Sequence, residues 1–132
     1  VSFSTVTCSL DIQADPDTVF RYVRDARNLP DWATPFAESV ERDASGTLLA
    51  TSNGETFPFR IVDNGDSRTV DYLRQLAPQR EGGAYLRVLP HPSRGAVVIM
   101  TVPVAEAADP SDVSEVVTGE LTALARRIGT SS

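Results

Sequence analysis

Four residues of this chain combine a type that moves protons or holds a developing negative charge with a place in the pattern from which they could reach a pocket. Glu120 falls on an apolar stripe at helical spacing, seven residues after Val113. That places its carboxyl toward an apolar interior, where it would serve as a base or hydrogen-bond acceptor. Gly119 beside it costs about 1 kcal/mol against Ala in a helix interior. Two readings follow: close helix–sheet packing, or room for a ligand next to Glu120. Tyr85 and Arg87 alternate onto one strand face with Leu89. Turned inward, Arg87 is a polar anchor for a carbonyl or carboxylate, and Tyr85 helps hold an oxyanion. Turned outward, both are solvated, and Leu86 and Val88 form the inner set. Tyr72 competes with Leu73 in the same way. His91, the sole histidine, lies in "PHPSRG". It is a solvated hairpin residue or, at a pocket rim, a proton shuttle.

The apolar candidates are equally two-sided. "RNLPDWATPF" (27–36) holds the only Trp. Trp32 is expected mainly to seal a junction between short helices and a sheet, with Phe36 the better placed to touch a ligand. Phe57 and Phe59 share a strand face with Ile61. With Met100 on a later strand and Val116 on the helical stripe, they are either core or the apolar wall of a cavity.

The composition narrows the classes. A length of 132 residues predicts one domain, 1–132. The net charge of −6 disfavours nucleic acid and anionic membranes as partners. All twelve basic residues are Arg, read here as the codon bias of a GC-rich bacterium. One Cys excludes an internal disulfide and a Cys-based zinc site, and one His builds no zinc site either. No metal is expected, and no nucleophile elbow, phosphate loop or dinucleotide fingerprint occurs. The absence of a leader pattern and of a long apolar run points to a cytoplasmic protein.

The elements that must position these residues follow from periodicity. "FSTVTCSLDI" (3–12) alternates as a half-buried strand with Val6, Cys8, Leu10 and Ile12 on one side. Asp15, Pro16 and Asp17 open a helix whose buried face is Val19, Phe20 and Val23. Asn28 is expected to cap a second, short helix carrying Pro30 and ended by Pro35. Six strands follow, at 37–43, 47–52, 56–63, 68–76, 83–90 and 95–104, with Asn53-Gly54 and Asn64-Gly65 as two-residue hairpin turns. Asp109 and Pro110 start a final helix with the stripe Val113, Val116, Val117, Leu121, Leu124 and Ile128, stopped at Gly129.

The stretch from Leu10 to Ala37 resembles the opening of the START-related helix-grip superfamily, including its polyketide cyclase/dehydrase-like members. The resemblance rests on Ile12-Gln13-Ala14, on Asp17-Thr18-Val19-Phe20 through Val23 and Asp25, and on Asn28-Leu29-Pro30-Asp31-Trp32. It implies an α+β helix-grip fold: a curved antiparallel sheet of about seven strands around a long C-terminal helix, with two short helices after strand one. The superfamily includes carriers, cyclases and sequestering proteins, so the fold does not choose the reaction. No catalytic residue of a characterised aromatase is carried over.

The expectation is a small-molecule pocket protein, monomeric or homodimeric, acting without cofactor as a cyclase on a polyketide-like chain, with or without dehydration. Arg87 and Tyr85 would hold the enolate and Glu120 or His91 would move the proton. The alternative is a non-catalytic carrier of an apolar small molecule. A third reading is a collapsed cavity in an interaction domain.

Overall fold

A computed structural model describes residues 4–129 of the chain. Phe3, the first residue of the expected opening strand, lies outside them. β1 (Ser4–Ile12) buries Val6 and Ile12, half-buries Cys8 and Leu10, and exposes the intervening positions. α1 (Pro16–Val23) starts where the sequence requires: Asp15 Oδ2 accepts from the Asp17 amide at 3.1 Å, and Val19, Phe20 and Val23 are buried. A 3-10 turn (Ala26–Asn28) leads into α2 (Leu29–Trp32). Asn28 does not cap α2. Its Nδ2 donates instead to the Tyr22 carbonyl at 3.0 Å, which ties the start of α2 to the end of α1.

The remaining strands are β2 (Ser39–Arg42), β3 (Leu48–Ser52), β4 (Glu55–Asn64), β5 (Thr69–Ala77), β6 (Arg80–Pro90) and β7 (Ala96–Val104). They form one antiparallel sheet in the order β1-β7-β6-β5-β4-β3-β2. The turn at Asn53-Gly54 has both residues at positive φ, 52° and 77°, as a two-residue hairpin of this handedness demands. Asn64-Gly65 does not form such a turn. The Asn64 side chain accepts from the amides of Asp66 and Ser67, and the chain closes as a four-residue loop with Arg68 at φ 54°. The competing side-chain turn of Asn won over the backbone preference of the dipeptide.

Register creates a step in the sheet. β4 pairs with β3 through Glu55 to Phe59 and with β5 through Phe59 to Asn64, so only Phe59 has neighbours on both sides. The two halves of the sheet are staggered, and the Arg60–Asn64 edge is left without a strand beside it. α3 (Pro110–Gly129) lies on the concave face and packs chiefly on β1 and α2, with a smaller contact to β7. This is the helix-grip arrangement. Asp109 Oδ1 accepts from the Ser111 amide at 2.8 Å at the start of α3.

Two glycines separate packing from freedom. A Cβ on Gly83, in β6 opposite Leu73, would collide with the Tyr72 carbonyl oxygen, whereas a Cβ on Gly119 would meet nothing within 4 Å. Gly83→Ala is expected to cost about 1–3 kcal/mol by overpacking. Gly119→Ala is expected to stabilise by up to about 1 kcal/mol through helix propensity. Urea unfolding of the two variants beside the parent chain measures both.

Candidate functional site

α3 leaves the β2–β5 part of the concave face to the α1–α2 segment, which covers it incompletely. A groove of about 1290 Å³ opens there. Its apolar floor is Val40, Leu48, Phe59 and Ile61. Phe59 is backed by Phe36, edge-on at 5.4 Å between ring centroids, and Phe36 packs edge-on against Phe57 at 5.5 Å. Phe36, Phe57 and Phe59, three of the expected wall residues, therefore form one cluster. Only Phe59 lines the groove itself; Phe36 and Phe57 support it.

A residue the sequence reading missed completes this wall. Arg74 follows Val70 and Tyr72 at two-residue spacing on β5, so it falls on the inward set with them, directly opposite Phe59. Its guanidinium carbon lies 3.7 Å from the centroid of Phe57, and one terminal nitrogen donates to Glu55 Oε1 at 3.0 Å. Its Nε–H is buried without a partner among the described residues. Stacking on an aromatic face and a carboxylate at one end explain why the cation tolerates the site. The alternation is visible in "TVDYLR", but with the inward place left open between Tyr72 and Leu73 the sequence does not place Arg74 on either face.

A second cluster lies deeper. Tyr72 is buried and donates its hydroxyl to the Val23 carbonyl at 2.6 Å, pinning β5 to the end of α1. Trp32 packs edge-on against Tyr72 at 6.0 Å and is itself buried, with Nε1 lacking a partner among the described residues. Glu120 is the one buried charged residue among the described residues, on the α3 face with Val117, Leu121 and Leu124. Burial pushes its pKa up to about 7. Tyr72 is raised well above the ordinary phenol range, first by burial and then by the neighbouring Glu120 charge, so it stays a neutral donor. Met100 belongs to this packed core as well.

Five candidate residues lie away from the groove. Tyr85 and Arg87 are exposed, because Leu86 and Val88 take the inward positions of β6. Leu86 pairs with both Val70 and Met100, so the register joins three buried residues in one inward row. Val116 is 44% exposed, at the outer margin of the α3 stripe. Gly119 is exposed, serving neither close packing nor a cavity. His91 is half-buried in its own turn: Nδ1 accepts from the Ser93 amide at 3.0 Å, and Nε2 lies 3.7 Å from Asp11 Oδ2. It borders a separate cavity of about 800 Å³ beside the start of α1, not the aromatic groove. Among the described residues no three His, Cys, Asp or Glu side chains are grouped to hold a metal ion, and no helix is long and apolar enough to cross a membrane.

The gripped helix and the short helices at its mouth define a START-like, helix-grip fold. The chain belongs to the family described as "Polyketide cyclase / dehydrase and lipid transport", whose sequence model matches residues 4–129. Solved structures with the same fold include XoxI of Bacillus cereus, at a TM-score of 0.73 and 20% identity, covering 95% of each chain. The Zhui aromatase/cyclase of a Streptomyces species superposes with a TM-score of 0.68 at 18% identity, covering 96% of this chain and 94% of that one. A START superfamily protein of Mycobacterium smegmatis gives 0.67 at 14% identity, covering 99% and 100%. Such identities speak for fold, and the chemistry rests on the site. No curated protein sequence matches the chain.

Glu120 makes stability depend on pH. The unfolded carboxyl ionises near the ordinary value of 4.5, the folded one at about 7. Between these values the folded state binds more protons, so its stability falls as pH rises through the window and levels off above it. The full loss is up to about 3 kcal/mol. Glu120→Gln is expected to flatten the profile and to be more stable than the parent at pH 8. Denaturant midpoints at pH 5 and pH 8 measure both effects; an unchanged slope in the variant would exclude Glu120 as its source.

Proposed function

We propose that the protein binds a polyketide-like or similar apolar small molecule in the groove and promotes its cyclisation, with or without loss of water, using no cofactor. The observation that carries this reading is the unpartnered Nε–H of Arg74 beside the Phe36–Phe57–Phe59 cluster on the uncovered part of the concave face. Aromatic walls hold a flexible or planar carbon chain by burial and stacking. A guanidinium among them holds a carbonyl oxygen and takes up the charge of its enolate. A chain held in one folded conformer reaches ring closure without further entropy loss.

The expected anchor, Arg87, gives way to Arg74 in this reading, and Tyr85 and His91 drop out of the chemistry because they face elsewhere. Glu120 is kept as the candidate for proton transfer because a pKa of about 7 suits exchange near neutrality, and since it lies in the core off the groove a ligand must extend inward beyond the Phe59 floor to reach it. A second reading, a carrier that holds the same molecule unchanged, is favoured by one observation. Glu120 is not among the residues that line the groove.

Mass-spectrometric product analysis with a short poly-β-ketone thioester, beside calorimetric binding, separates the two. For the cyclase, the parent chain converts the compound, and Glu120→Gln slows conversion roughly 100-fold or more with binding retained. Arg74→Gln is expected to weaken both binding and conversion, by about tenfold in affinity. Binding without conversion by the parent chain would establish the carrier.

A further inference from the structure

Six of the twelve arginines line this one groove: Arg21, Arg24, Arg27, Arg42, Arg60 and Arg74. Four have carboxylate partners. Arg24 meets Asp63 at 2.7 Å, Arg27 meets Asp25 at 2.7 Å, Arg60 meets Glu81 at 2.6 Å and Arg74 meets Glu55 at 3.0 Å. Arg21 and Arg42 have none among the described residues. Arg21 reaches only the Thr18 hydroxyl at 3.4 Å, and Arg42 only the Gly46 carbonyl at 2.7 Å. The groove's own acids are Asp25, Glu41, Asp63 and Glu81. Six cations against these four anions and Glu55, the partner of Arg74, leave an excess of one positive charge, on a chain whose net charge is −6.

That local reversal of sign sits over an apolar floor. A cleft lined by one excess sign concentrates the opposite charge within it, and guanidinium groups match the two-oxygen geometry of carboxylate and phosphate. We infer that the ligand is an anionic amphiphile, whose apolar body lies on the Phe59 floor and whose carboxylate or phosphate head is held at the groove rim by Arg21 and Arg42. This rests on the groove being the ligand site. It extends that reading from an apolar molecule to one with a charged end. The charge of −6 over the whole chain still disfavours extended polyanions and anionic surfaces, so the recognised anion is a small one that fits within the cleft.

The test is calorimetric titration of the full chain with dodecanoate, dodecyl phosphate, methyl dodecanoate and dodecanol. At low salt the better of the two anions is expected to bind about tenfold tighter than the ester, and the gap is expected to shrink at high salt because both arginines are exposed. The preference between dodecanoate and dodecyl phosphate identifies the source of the head group. Arg21→Ala/Arg42→Ala is expected to close the gap by weakening the anions while leaving the ester unchanged, with folding checked by circular dichroism. Equal binding of anions and ester would overturn the charged-head inference and leave the groove standing as a ligand site. A gap that persists in the double variant would overturn the assignment to Arg21 and Arg42. Binding of none of the four would overturn the groove reading itself.

Discussion

One helix has to close one face of a sheet much wider than itself. Seven strands about 4.8 Å apart make a sheet roughly 29 Å across, and a helix with its side chains is about 10–12 Å wide. α3, with its 20 residues, lies along β1 and β7 and against α2. The far side of the sheet must then be covered by something else or stay open. α1, α2 and Phe36 cover it in part, and the step in pairing at Phe59 draws β2 and β3 away from the upper part of β4. The groove is the remainder of this geometry. It needs no special loop and no cofactor-shaped void, only a sheet too broad for its helix.

The same geometry decides where polar groups survive inside. Close under α3 few polar groups are buried: Tyr72 holds the Val23 carbonyl, Glu120 has a pKa of about 7, and Trp32 Nε1 has no partner among the described residues. At the open end a full charge is tolerated. Arg74 keeps one side on Phe57 and one hand on exposed Glu55, so desolvation is only partial. A carboxyl with its pKa raised to about 7 in the core and a guanidinium at the mouth divide the interior into a packed half and an open half.

Electrostatics adds a second division, between the groove and the rest of the surface. Arg24 and Asp63, both lining the groove, join the end of α1 to the end of β4. Arg60 and Glu81 bind β4 to β6 across β5. Exposed pairs of this kind contribute little to stability singly. Their effect here is on local sign, since they neutralise most of the rim and leave Arg21, Arg42 and Glu41, which have no ion-pair partner among the described residues, as its charged features. Membership in a family of cyclases, dehydrases and lipid transporters is consistent with such a mouth, because that fold varies its chemistry through the few side chains placed there.

Local signals were enough to read the elements and their order. Asp15-Pro16 and Asp109-Pro110 set the starts of α1 and α3, Asn53-Gly54 set a hairpin, and the alternation of β1 named its buried side. These depend on backbone preferences a few residues long, which a linear chain displays. The helix-grip arrangement was legible from the motif spanning α1 and α2. The inward face of a strand with apolar residues on both sides was not. In β6, Leu86 and Val88 against Tyr85 and Leu89 is an even contest until Leu86 is set between Val70 and Met100. Pairing register across strands far apart in sequence decides it, and with it the exposure of Arg87 and the inward placement of half-buried Arg74. The gathering of six arginines from α1, the turn after it, β2, β4 and β5 around one opening is likewise a property of the closed sheet. The sequence by itself determined which elements form and in what order, because those follow from short-range chemistry. The tertiary structure alone decided which side chains share the site, because that follows from long-range register and from how much of a broad sheet one helix can cover.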